Sequence, residues 1–192
     1  MRTNHHNRFI VTPDTETIIQ QTKNWVSEIV IDLQLCPFAS AAFNTNNIDY
    51  TVVHRRDITR HLQQIADCFT FLDDHENIET QLLIFSDAYK DFDNYLDLLH
   101  LANQILEDLK YTGIYQLASF HPLYRFADSM DNDASNYSNR SPYPMLHILR
   151  EKSLEQAITG YPDIEKVPEK NIRKLNKIGY VRMRKKLDSI VE

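Results

Sequence analysis

An α/β fold, with α+β as its near alternative, is what this 192-residue chain predicts. Three observations carry that reading. Short apolar segments suited to strands alternate with longer segments whose apolar residues recur every three or four positions. Clear stops separate these segments, at Pro37, Gly113 and His121-Pro122. No internal repeat and no second core-forming block occurs, which makes one domain the expectation. The predicted architecture is a small three- to four-stranded sheet covered by about five helices.

The elements follow in order. Residues 1–12 form a polar N-terminal arm, and Thr12-Pro13-Asp14-Thr15-Glu16 supplies a capping residue, a first-turn proline and acids at the positive end of a helix. Trp25, Val26, Ile29 and Leu33 continue at helical spacing to Cys36, and Pro37 stops the helix and can begin a short one. Residues 48–54 read as a strand, and Asp57 caps a helix bearing Ile58, Leu62, Ile65, Phe69 and Leu72. The run 80–85 is short and apolar enough for a buried strand. A helix over 91–111 ends near Gly113, and 114–120 is a third strand stopped at His121-Pro122. Residues 122–143 are a long loop whose aromatic residues argue for an ordered cover. Pro144 can open a helix from Met145 to about Ile158, and Pro168 a last one closed by Gly179. A single globular domain over 13–180 and a basic C-terminal tail over 181–192 complete the division.

Composition narrows the class. Forty-two per cent of residues are hydrophobic and 25% charged, as in an ordinary globular protein. No apolar run approaches the ~20 residues of a membrane span, and the N-terminus lacks a secretory h-region. Two cysteines, Cys36 and Cys68, are too few for a disulfide framework and read as reduced thiols, so the expected location is cytoplasmic and no membrane partner is expected. Charge is uneven: residues 166–186 hold nine basic residues and one acid, Glu169, while the rest holds 12 basic and 26 acidic. Such a segment could meet an anionic surface, but with Tyr180 as its sole aromatic it offers no base-stacking platform, and a nucleic-acid partner is not expected.

Several residues could carry chemistry. Cys36, as the N-cap of a helix begun at Pro37, would have its thiolate stabilised by the dipole; alternatively it is one more residue of an apolar stripe. Cys68, beside Phe69, reads as core. His121 stands at a strand's end, where ligands gather in α/β sheets, or else it bonds a loop carbonyl. On a helix begun by Pro144, His147, Arg150 and Glu151 would share one face, with Arg140 and Tyr143 just before its positive end. That grouping would hold a carboxylate or phosphate, or would merely brace the helix. Asp131-Asn132-Asp133 begins like a calcium loop but lacks the glycine and glutamate that complete one. No metal-ligand spacing and no glycine-rich phosphate loop is present, and no metal site is expected.

Together the motifs resemble a known family. Cys36-Pro37-Phe38, the run from Glu79 to Ile84, Asp91 to Tyr95, Ala118-Ser119-Phe120-His121-Pro122, Asn136 to His147 and Leu149-Arg150-Glu151 occur in the same order in the bacterial domain-of-unknown-function family numbered fourteen-fifteen. The likeness covers roughly residues 15–180. It implies one domain and a single site, and no activity.

The functional expectation is a small-molecule enzyme acting on an anionic substrate. Cys36, His121 and His147 are its expected catalytic residues, and Arg140, Tyr143, Arg150 and Glu151 its substrate-binding ones. The alternatives are a haem- or metal-binding sensor using Cys36 and a histidine, and a non-catalytic interaction protein using the basic segment. The sequence identifies no cofactor.

Overall fold

The computed structural model describes residues 13–54, 56–161 and 163–192; the expected arm over residues 1–12 lies outside them. The described residues form seven α-helices and four strands, and three of the strands lie where the sequence predicts them. Strands β1 (Ile48–Val53), β2 (Thr80–Phe85), β3 (Tyr115–Phe120) and β4 (Met145–Arg150) form one sheet in the order β1-β2-β4-β3. β1 and β2 are parallel, joined through α3 (Ile58–Asp74), whereas β4 runs antiparallel to both neighbours.

Strand alternation gives the sheet two apolar faces. On one, Leu82, Ile84 and Met145 meet α1 (Thr15–Trp25), the π-helical turn Val26–Ile31, α6 (Val167–Ile178) and α7 (Tyr180–Val191), through residues such as Trp25, Ile29, Leu175 and Met183. On the other, Leu83, Phe85, Leu146 and Ile148 meet α3 and α4 (Phe92–Asp108) through Phe69, Leu72, Tyr95 and Leu98. Each fully buried side chain of this size contributes about 1.5–3 kcal/mol, so both layers are needed to hold the sheet. Asp14, Asp57 and Asp91 cap α1, α3 and α4 by accepting from backbone N–H groups one turn in.

Three expectations need correction. Residues 145–150 are a strand, not the first turns of a helix opened by Pro144; the helix, α5 (Glu151–Thr159), begins only after it. Pro144 gives its carbonyl to Phe85 N–H at 2.9 Å, so it leads a strand into the middle of the sheet. The short helix after Pro37, α2 (Ala39–Asn44), has Phe38 as its cap position, which leaves Cys36 two residues upstream of it. Cys36 is also exposed, off the apolar stripe, whereas Cys68 is buried as expected.

Residues of the expected basic tail lie in α7, where Met183, Leu187 and Ile190 are buried against the first core. Gly179, between α6 and α7, has φ +87° and ψ 150°, a conformation open to glycine and strained for side-chain-bearing residues. The long segment 122–143 is pinned: Ala134–Ser138 is a 3-10 turn and Tyr137 is buried.

Candidate functional site

The expected site residues sort onto different faces of the sheet. His147 and Arg150 are three apart on β4, so alternation sends their side chains to opposite faces, and the anion site expected at a Pro144 helix does not form. Arg150 faces α3. Its Nε donates to Ile78 O at 2.9 Å, its Nη1 to Tyr115 OH at 3.2 Å, and its Nη2 to Leu72 O and His75 O. It thereby closes the carboxyl end of α3, where carbonyls lack helical partners. Glu151 opens α5, its backbone N–H donating to Ile114 O.

Arg140 is 6% exposed and equally engaged. Nε donates to Tyr124 O at 3.0 Å and Nη2 to Asp131 O at 2.7 Å, while the guanidinium lies 5.0 Å from the Tyr137 ring centre and 5.9 Å from that of Tyr180. Its own carbonyl accepts from Trp25 Nε1 at 2.9 Å. Tyr143 directs its hydroxyl to Gln21 Oε1. These contacts clamp the 122–143 segment to the body.

His121 is fully buried, against Phe92 and Tyr95. Nδ1 accepts from Leu123 N–H at 2.9 Å, so the ring proton is on Nε2, which donates to Tyr89 O at 2.8 Å. Burial holds its pKa below the usual histidine value. Both nitrogens are used, which is the loop-bracing alternative read from the sequence. Tyr89 in turn has φ +55° and gives its hydroxyl to a bond with His61 Nδ1 at 2.7 Å. Two buried histidines thus hold a tyrosine in a conformation that costs a non-glycine residue about 1–3 kcal/mol.

His147 differs. It projects from the middle of β4 onto the α1 face, partly exposed, opposite Leu82 on one side and Ala118 on the other. Thr80 Oγ1 donates to Ile148 O at 2.6 Å, so it must accept from His147 Nε2–H, also at 2.6 Å. The Nδ1 lone pair is therefore open, with no hydrogen bond to a described residue, and Nδ1 is not among the sealed, unpartnered atoms. Burial pushes the ring's pKa down to about 4. Phe120, 5.7 Å away, and Trp25, packed edge-on to Phe120 at 4.9 Å, back the ring.

Cys36 makes no hydrogen bond with any of these residues. It leads into α2, whose Ala39 and Phe43 pack on the same core face as the His147 ring. Exposure makes one outcome direct: iodoacetamide is expected to alkylate Cys36 in the native protein and to spare Cys68, whose thiol is 1% exposed and pushed up to about 12 by burial. Peptide mass spectrometry before and after unfolding checks this, and labelling of both in the native state would contradict the packing of α3.

Sequence reasoning passed over a hydrogen-bonded set at the carboxyl ends of β1 and β2. His54 Nε2 meets Thr15 Oγ1 at 2.6 Å and its Nδ1 meets Ser86 Oγ at 3.0 Å. The signal was available, since His54 and Ser86 immediately follow two strands, where α/β sheets place ligands. Among the described residues no group of three or more His, Cys, Asp or Glu side chains is placed to hold a metal ion, and no helix is long and apolar enough to cross a membrane.

One family model, described as "Protein of unknown function (DUF1415)", matches residues 17–185. No curated protein and no solved structure matches the chain.

Proposed function

The chain belongs to the DUF1415 family of proteins of unknown function, and from its geometry we propose that it is a small-molecule enzyme whose working group is His147. One observation carries the reading: a neutral imidazole at a half-buried position, fixed in tautomer by Thr80, keeps a Nδ1 lone pair that bonds no described residue. Thr80 is a positioning residue, because its hydroxyl is itself held by Ile148 O.

A ring whose pKa is about 4 is a weak base until negative charge is placed beside it. A carboxylate or phosphate on the substrate raises that pKa toward neutrality and so couples proton acceptance to binding. This supports an anionic substrate without calling on Arg140 or Arg150, whose donors are held by carbonyls. Cys36, accessible at the approach to α2, is assigned the nucleophile. His121, with both nitrogens bonded, braces the loop instead.

The test is an NMR comparison of small-metabolite extracts before and after incubation with the purified chain. Wild type is expected to convert at least one anionic metabolite. His147→Gln should lower that conversion about 100-fold, in the range of a lost acid–base group, and Thr80→Val about tenfold. Cys36→Ser separates the nucleophile from the base. No conversion by wild type, or equal conversion by His147→Gln, overturns the reading.

A further inference from the structure

The two faces of the sheet are covered by helices of opposite charge, a feature the His147 reading leaves unused. On one face α3 and α4 together hold seven acids and a single base, Arg60. On the other, α6 and α7 hold eight bases and two acids, Glu169 and Asp188. The sheet stands between the two sets, so neither neutralises the other within one chain. The ion pairs agree. Arg60 is taken by Asp57, and none of the seven acids is in an ion pair among the described residues. Glu169 and Asp188 take Arg173 and Arg184, and Lys186 reaches Glu28 of the π-helical turn at 4.0 Å. Lys170, Lys177, Arg182 and Lys185 are exposed and bond no described residue.

Each charged layer also exposes an apolar side chain among its charges. At 3.6 residues per turn Asp93, Leu96, Asp97 and Glu107 fall on one stripe of α4, and Val181, Arg182 and Lys185 on one stripe of α7. Leu96 is 40% exposed and Val181 67%. A single exposed apolar residue is ordinary, but each of these is bracketed by charges of one sign, and the two signs are opposite. Brought together, the stripes set Val181 against Leu96 while Arg182 and Lys185 meet Asp93 and Asp97. That is an apolar contact inside a charged rim, the common anatomy of a protein interface.

We propose that the chain associates head to tail with further copies of itself, the α6–α7 face of one copy docking on the α3–α4 face of the next. The contact joins two different surfaces on opposite sides of the sheet. Every added copy therefore leaves one acidic and one basic face free, and copies extend an open chain instead of closing as a pair. Rim charges orient a contact more than they tighten it, so the association is reversible, with a Kd on the order of 100 µM at low salt.

Sedimentation velocity of the full-length chain tests this. In about 50 mM sodium chloride the average mass is expected to reach at least about twice the monomer's by ~0.5 mM chain, and to return to the monomer's in about 500 mM, where charges are screened within ~4 Å. Two paired variants separate the faces: Arg182→Glu with Lys185→Glu, and Asp97→Lys with Glu107→Lys, all at exposed positions. An acid in the first turn of α7 and a lysine in the last turn of α4 suit the helix dipoles, and circular dichroism checks that both variants fold. Neutral versions, with Gln at 182, 185 and 107 and Asn at 97, replace a pair that does not. Each paired variant should stay monomeric alone, and an equimolar mixture should associate, because the first keeps the native acidic face and the second the native basic one. A wild type that is monomeric at low salt, association that survives high salt or either paired variant, or a mixture no heavier than its components would each overturn the proposal.

Discussion

Arg140→Met is expected to lower the free energy of unfolding by about 3–5 kcal/mol, from two charge-assisted bonds worth about 1.5–3 kcal/mol each. Methionine fills much of the volume but abandons Tyr124 O and Asp131 O, both accepting from the guanidinium, and removes the cation lying between Tyr137 and Tyr180. Arg140→Lys keeps the charge, yet one ammonium cannot reproduce a planar fork that reaches two carbonyls while facing two rings. It should recover less than half of the loss. Urea unfolding followed by tryptophan fluorescence reads this directly, because Trp25 Nε1 donates to the Arg140 carbonyl. An Arg140→Lys variant within about 0.5 kcal/mol of wild type, the scatter of an ordinary surface change, would show that the clamp is dispensable. An anion bound by Arg140 would have to displace the same carbonyls.

Acid is expected to cost the fold about 3 kcal/mol through His147 alone, from a pKa near 6.5 when unfolded and about 4 when folded. The sign follows from which state takes the proton. Below pH 6.5 the unfolded chain protonates this histidine while the folded chain resists, so the contribution is complete above pH 6.5. It is lost progressively as pH falls to about 4, and no further below. His121, also lowered by burial, acts in the same direction. His147→Gln isolates the effect: its stability gap from wild type should narrow by about 3 kcal/mol across that window. A gap independent of pH would mean that the ring is not held neutral by its surroundings.

Much of the fold was legible because periodic segments sit between clear stops. Strands 48–53, 80–85 and 115–120 lie where their apolar runs placed them, and Asp57 and Asp91 cap the helices they precede. β4 was not legible. Met145-Leu146-His147-Ile148-Leu149 is apolar on both faces because the strand is central, and a short continuous run cannot be told from a buried helical turn by period alone. The proline before it tipped the reading the wrong way. That one error carried the site with it, since a helical period sets His147 beside Arg150 and a strand period parts them. His121 and the arginines were recognised as special, but sequence cannot show that their partners are backbone carbonyls 32, 16 and 72 residues away.

The order β1-β2-β4-β3 has a consequence for how the chain is made. One of its two inner strands, β4, is the last of the four to leave the ribosome. Through the synthesis of the first 144 residues β2, every residue of which is buried in the finished protein, keeps one bare edge, and β3 has no neighbour to pair with. Such edges are sticky toward other chains. The sheet therefore closes in one late step, when residues 145–150 slide between two strands already made, and α7 then seals the layer over α1. Exposure to aggregation is concentrated in that interval, which makes the protein a natural client for whatever shields nascent strands.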